Sequence, residues 1–177
     1  MNLPEKIVNK VEESGLITID LESFYPEEER ASFDLKDYLH MGLIIREKEF
    51  REALKQLDWE NFRDKNVAVF CSADAIIPMW AYMLVGTYLE PVAKRFFFCS
   101  EKDLDDKIFQ EILSDLDVTP FNGKRILIKG CSDKPVPASA YLEITRKLRP
   151  VARSLMYGEA CSNVPLFKQK DTISASK

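Results

Sequence analysis

Short apolar runs alternate with amphipathic stretches along most of the chain, and this alternation predicts strands and helices in turn. Runs rich in β-branched residues favour strands, whereas apolar residues at helical spacing favour helices. The pattern predicts strands at 16–21, 31–35, 67–71, 95–98 and 125–129, an extended stretch at 153–157, and helices at 4–14, 47–57, 78–90, 103–116 and 137–148.

The order strand–helix–strand predicts an α/β fold with a mainly parallel sheet flanked by helices. A length of 177 residues suits one domain. We therefore expect a single α/β domain over residues 1–167, closing with a structured loop at 158–167. A flexible polar tail is expected at 168–177. The apolar stretch 38–45 is equally typical of a core segment and of an interface, so a homodimer stays open.

Part of this pattern occurs twice. One predicted strand ends at Cys71-Ser72 and another at Cys131-Ser132. The boxes Leu-Glu-Pro-Val-Ala-Lys and Leu-Arg-Pro-Val-Ala-Arg follow an Ala-Tyr pair at the same distance in each copy. Any two βαβ units share apolar positions, but that alone does not explain the matched boxes. The sequence therefore predicts two related βαβ units, at about 62–100 and 121–162, in which Cys71 and Cys131 are equivalent.

The net charge of −4 argues against a nucleic-acid partner or an anionic membrane surface, because both favour basic faces. No apolar run approaches the roughly 20 residues that span a bilayer. These features predict a cytoplasmic protein. In a reducing compartment the four cysteines are expected to be thiols, metal ligands or core residues rather than disulfides.

The cysteines follow predicted strands, and the carboxyl ends of parallel strands meet at one edge of a sheet, which is the usual ligand crevice. Cys71, Cys131 and Cys161 are therefore candidate metal ligands, with Asp74 or Asp133 as an oxygen ligand or supporting partner. Zinc, iron or an iron–sulfur cluster accepts such thiolate-rich sets. Cys99 and His40 are alternative fourth ligands. The long spacing and the absence of a C-x-x-C pair make this a weak sequence signal.

Two other interpretations compete with the metal site. A helix N-terminus after Cys71 or Cys131 lowers a thiol pKa, which favours a reactive thiol. Alternatively, the cysteines are buried packing residues in a non-catalytic structural or interaction domain. The sequence has no Gly-rich phosphate loop, no G-x-S-x-G and no H-E-x-x-H, and it contains one histidine. It therefore identifies no catalytic residue and leaves open whether the protein is an enzyme.

Three blocks carry a resemblance to a known family: CSADAIIPMWAYM at 71–83, IVNKVEESGLITIDLESFYP at 7–26, and the stretch 129–166. The sequence resembles an uncharacterised, mainly Bacteroidetes family known as domain of unknown function 2480. Cys71, Cys131 and Cys161 lie inside these blocks and Cys99 lies outside them. The resemblance supplies no reaction, but the family's association with iron–sulfur assembly genes implies an accessory role in iron–sulfur or sulfur metabolism. It also implies a protein partner in iron–sulfur assembly.

Overall fold

A computed structural model describes residues 15–130 and 133–170 of the chain. It divides into two compact units. The central unit is Pro26–Ile108, and the terminal unit combines Met1–Tyr25 with Phe109–Lys177. The single domain expected over residues 1–167 stays a prediction. The helix expected at 4–14 lies outside the described residues, as does Cys131.

The central unit is built on a parallel three-stranded sheet with the order β2-β3-β4. The middle strand is almost entirely buried, as expected for the apolar run Asn-Val-Ala-Val-Phe. The strands are β2 (Arg30–Asp34), β3 (Asn66–Phe70) and β4 (Arg95–Phe98), and the helices are α1 (Glu47–Gln56) and α2 (Met79–Leu89).

The terminal unit is built on a four-stranded sheet with the order β1-β5-β6-β7. The first three strands are parallel and β7 is antiparallel to β6. The strands are β1 (Leu16–Asp20), β5 (Arg125–Lys129), β6 (Ser154–Glu159) and β7 (Ser162–Lys168). Helix α4 (Ala138–Leu148) connects β5 to β6, and the division between the units falls within α3 (Leu104–Ser114).

Each unit has its own hydrophobic core beneath its helix. In the central unit α2 buries Ala81, Val85 and Leu89, and in the terminal unit α4 buries Ala140, Ile144 and Leu148. Both sets have the spacing i, i+4, i+8, which lies on one helical face. The predicted α/β fold with mainly parallel strands is therefore confirmed.

Equivalent elements of the two units lie 59 residues apart. The strands β3 and β5 begin at Asn66 and Arg125 (125 − 66 = 59), and the helices α2 and α4 begin at Met79 and Ala138 (138 − 79 = 59). The strands β4 and β6 begin at 95 and 154, at the same interval. This constant interval is compatible with two related βαβ units, while an internal duplication stays a prediction.

The structure differs from the predicted loop at 158–167. There β6 continues to Glu159, and β7 turns back along it to form a hairpin. Pro165 and Asn163 make the sequence of β7 atypical of a strand. Pairing with β6 compensates for that low intrinsic preference, and β7 becomes the last strand of its sheet.

Candidate functional site

The loops at the carboxyl ends of the strands are held by carboxylates from the preceding strand of each unit. In the central unit Asp34 ends β2, and its Oδ1 accepts from the Lys36 amide at 3.0 Å. The same carboxylate accepts from the Ser72 amide at 2.9 Å and from Ser72 Oγ at 2.5 Å. Partial burial raises the pKa of Asp34, but these hydrogen bonds and the Lys36 charge outweigh it, so the pKa is lowered overall.

The terminal unit repeats this arrangement with different partners. Asp20 ends β1 and accepts from the Glu22 amide at 3.1 Å. Its other oxygen lies 3.1 Å from Lys129 Nζ, and this hydrogen bond raises the pKa of Lys129. The Glu22 carboxylate accepts from the Asp133 amide at 3.2 Å. In both units these acidic side chains therefore hold loop backbone in place.

The three cysteines that the structure describes are free thiols, and none of them is buried. Cys71 is half-buried and its Sγ donates to the Ala73 carbonyl at 3.7 Å. Cys99 is also half-buried, and Cys161 is exposed in the turn between β6 and β7. Burial, followed by the Asp103 charge, raises the pKa of Cys99, which is the opposite of what an activated thiol requires.

The hypothesis of a cysteine-rich metal or thiol site is wrong. Over residues 15–130 and 133–170, no group of three or more His, Cys, Asp and Glu side chains could hold a metal ion. The function that the sequence assigned to such a group is corrected accordingly, while zinc, iron or an iron–sulfur cluster as a cofactor stays a prediction from the sequence. The alternative of buried packing cysteines is also wrong, because the described cysteines are half-buried or exposed.

The candidate ligands are distributed over both units, and one of their predicted equivalences is displaced. Cys71 belongs to the central unit, whereas Cys161 and Asp133 belong to the terminal unit. The interval of 59 residues also places Gly130, not Cys131, at the position equivalent to Cys71 (130 − 71 = 59). Asp74 and Asp133 are exposed. The cysteine equivalence predicted from the sequence is thus displaced by one residue.

Beside the sheet of each unit lies a cleft walled by the helix and by the strand that follows it. We call the cleft of the central unit the open cleft. Its volume is about 550 Å³. It is lined by Val69, Tyr82, Met83, Gly86, Thr87, Glu90, Phe96, Phe97 and Phe98. We call that of the terminal unit the covered cleft; its volume is about 310 Å³, and it is lined by Ile128, Tyr141, Thr145, Tyr157, Val164 and Leu166.

Four pairs of lining residues are equivalent at the interval of 59: Val69 and Ile128, Tyr82 and Tyr141, Gly86 and Thr145, and Phe98 and Tyr157. The difference is β7, which contributes Val164 and Leu166 to the covered cleft alone. In the described part of the central unit no strand follows β4, which pairs with β3 only.

The side chains of β4 are more exposed than the equivalent side chains of β6, which pairs with β7. Phe96 is 39% exposed, whereas its equivalent Leu155, which lies opposite Phe167 of β7, is 0% exposed. Phe98 is 72% exposed, and its ring contacts Tyr82 edge-on at 5.0 Å between centroids. On the neighbouring helix Met79 and Met83 are also exposed. The open cleft therefore combines an exposed strand edge with exposed aromatic and methionine side chains.

Sequence reasoning placed the strand at 95–98 correctly but did not identify it as an exposed edge. A signal was present, since three consecutive phenylalanines give both faces of the strand an apolar character. Helix α2 is likewise apolar outside its buried face, where a surface helix usually carries charges. Together these two features indicate a surface that an apolar partner covers.

A comparison with protein families finds one match, to the family described as protein of unknown function (DUF2480), over residues 5–169. The match covers most of the chain, which therefore belongs to this family. Comparisons with curated proteins and with solved structures find no match. No helix in the described ranges is long and apolar enough to cross a membrane.

Proposed function

We propose that this member of the DUF2480 family is a protein-binding domain whose open cleft receives an extended segment of another chain by β-strand addition. The observation that carries the proposal is the contrast between equivalent edges. The edge of β6 is paired with β7, while the equivalent edge of β4 is unpaired among the described residues and presents exposed phenylalanines. Exposed strand edges pair readily with other chains.

The side chains around the edge support a binding role. Protein interfaces are enriched in aromatic residues and methionine and depleted of lysine and glutamate. Phe96, Phe98, Met79 and Met83 are all exposed, and three of them belong to the lining of the open cleft. Methionine adapts its shape to different partners because it is unbranched and flexible. This surface therefore suits recognition of apolar side chains.

The contacts of the loops at the carboxyl ends of the strands also support a binding role. Ser72 Oγ donates to Asp34, and His40 Nδ1 lies 3.5 Å from a carboxylate oxygen of Glu49. Ser72 therefore has a carboxylate partner that already accepts two backbone amides. Such loops stabilise the sheet edge rather than arrange a nucleophile and its base.

The covered cleft indicates what the open cleft accepts. There β7 supplies Val164 and Leu166, two positions apart, and both line the cleft although the register between β6 and β7 shifts at Leu155 and Met156. We expect the partner of the open cleft to be an extended segment with uncharged apolar residues at alternate positions. The cytoplasmic location stays a prediction from the sequence.

Selection from a library of random heptapeptides displayed on phage tests the proposal. Peptides with apolar residues at alternate positions should be enriched on the wild-type protein and should not bind Phe98→Asp, which places a charge at the edge. Met83→Lys should weaken the binding of these peptides.

Leu142→Lys is the matched control, since Leu142 occupies the position of Met83 in α4 and is 75% exposed, against 72% for Met83. This variant should bind the selected peptides as the wild type does. The proposal is overturned if no peptide is enriched over the Phe98→Asp protein, or if the enriched peptides bind all variants equally. Circular dichroism of each variant establishes that it is folded.

A further inference from the structure

We infer that the segment received by the open cleft is β4 of a second copy of this chain, paired antiparallel about a twofold axis at Phe97. The inference rests on the proposed function and names its partner. A twofold axis makes the same patch serve both copies, so the patch must be complementary to itself. The sequence and exposure of β4 meet that requirement.

The spacing of the exposed phenylalanines provides the self-complementarity. With Phe97 opposite Phe97 of the second copy, Phe96 of each copy lies opposite Phe98 of the other. Residues directly opposite in an antiparallel pair point to the same face, with Cβ atoms roughly 4.5–5.5 Å apart. The two most exposed side chains of β4 would thus form two cross-strand aromatic pairs. Such pairs are among the stabilising cross-strand combinations.

The charges near the edge agree with this register. Between Phe96 and Cys99 the strand and its end carry no charged residue. Arg95 lies opposite Cys99 of the second copy in this register, so that no like charges meet. Arg95 also lies 3.6 Å from Glu28 of its own unit, which balances its charge. Edge strands that avoid pairing are short or carry charges, proline or a bulge; β4 has four residues and begins with Arg95, but it contains no proline or bulge and no charge from Phe96 to Phe98.

Among the other edge strands, β7 is a poorer partner for β4. Strand β7 is also an edge strand, but it contains Pro165, which has no amide hydrogen to donate, and it ends in Lys168. Pairing β4 of one copy with β7 of another would also be heterologous, and such contacts extend into open chains unless the rotation closes a ring. Pairing β4 with β4 closes after two copies and covers both open clefts.

Sedimentation equilibrium over a wide range of concentrations tests the inference. The wild-type protein should reach twice the 20.4 kDa mass of the chain. Phe98→Asp should remain a monomer over the same range. Met83→Lys should raise the dissociation constant about tenfold, because it places a charge in the lining of the cleft that the second copy covers. Leu142→Lys should dimerise as the wild type does.

The register has a test of its own in a background in which all four cysteines, Cys71, Cys99, Cys131 and Cys161, are replaced by serine. Phe97→Cys should form a disulfide between copies on mild oxidation, because residues on the axis are directly opposite and meet the distance that a disulfide requires. Phe96→Cys should not, because it faces Phe98 of the other copy. Cross-linking through position 96 but not 97 would overturn the register.

The outcomes separate this inference from the proposed function. A wild-type protein that stays monomeric overturns the second copy as partner, as does a dimer that Phe98→Asp leaves intact. If the monomer nevertheless binds selected heptapeptides through Phe98, strand addition stands and its partner is a different chain. If neither dimer nor peptide binding depends on Phe98, both proposals fail.

Discussion

The two units of this protein use the same parallel strands and the same helix but complete their sheets differently. In the terminal unit β7 folds back along β6, and Leu155 becomes fully buried. In the central unit the equivalent Phe96 stays 39% exposed beside an edge without such a strand in the described ranges. One additional strand therefore decides whether the same βαβ arrangement has a covered or an open face.

The helices show the same contrast on their outer faces. Both α2 and α4 bury one apolar face with identical spacing. Around Leu142, helix α4 carries Glu143, Arg146 and Lys147, whereas Met83 of α2 lies among apolar residues. The buried face positions a helix on its sheet, and the outer face is free to vary with function.

The largest predicted change in the free energy of unfolding comes from substitutions in the two cores, and it tests whether the cores are equivalent. Leu89→Ala and Leu148→Ala each remove a fully buried side chain at equivalent positions. Each should lower the free energy of unfolding by about 2–5 kcal/mol through lost burial and the remaining cavity. Urea denaturation followed by tryptophan fluorescence and by far-UV circular dichroism measures both losses. A loss below about 1 kcal/mol in one variant only would show that the two cores are not equivalent.

The second prediction compares the equivalent positions Gly130 and Cys71, of which only Gly130 requires a glycine. Gly130 has φ +143°, and a Cβ there would lie 2.8 Å from Leu21 Cβ. Gly130→Ala should therefore destabilise the protein by about 1–3 kcal/mol. Cys71→Ala, at the equivalent position, should cost about 1 kcal/mol or less, because a half-buried thiol loses only modest packing. Similar losses for the two variants, measured by thermal unfolding, would contradict the close approach of Gly130 to Leu21.

A smaller effect concerns the carboxylate that ends β2. Asp34→Asn should lower the free energy of unfolding by about 1–2 kcal/mol at neutral pH, because it weakens the hydrogen bonds to Lys36 and Ser72. The pKa of Asp34 is lowered in the folded state, so its ionised form stabilises the protein above the unfolded value of about 3.9. That contribution is lost as the pH falls through the folded pKa.

The difference between the wild type and Asp34→Asn should therefore shrink below about pH 4. Urea unfolding at neutral and acidic pH measures it. Ser72→Ala is the matched comparison, since it removes one donor to the same carboxylate and should show a smaller loss with the same direction of pH dependence. A difference that grows on acidification would contradict the lowered pKa.

Local sequence patterns predicted most of the regular elements closely. The strand expected at 125–129 is β5 itself, and the helices expected at 78–90 and 137–148 differ from α2 and α4 by two residues at most at either end. These predictions succeed because helical and strand periodicities are properties of adjacent residues. The candidate metal site could not be predicted in this way, because the strand pairing that brings ligands together links distant parts of the chain, and no group that could hold a metal occurs over residues 15–130 and 133–170.

The sequence by itself determined the α/β class, the parallel βαβ units and the positions of their helices, because short-range apolar spacing specifies which faces must be buried. Only the tertiary structure decided that Cys71 and Cys161 belong to different units and that β7 covers one cleft. It also decided that Phe98 remains exposed. These three features depend on pairing between strands that are distant in the sequence. The residues next to a strand along the chain do not specify which strand will pair with it.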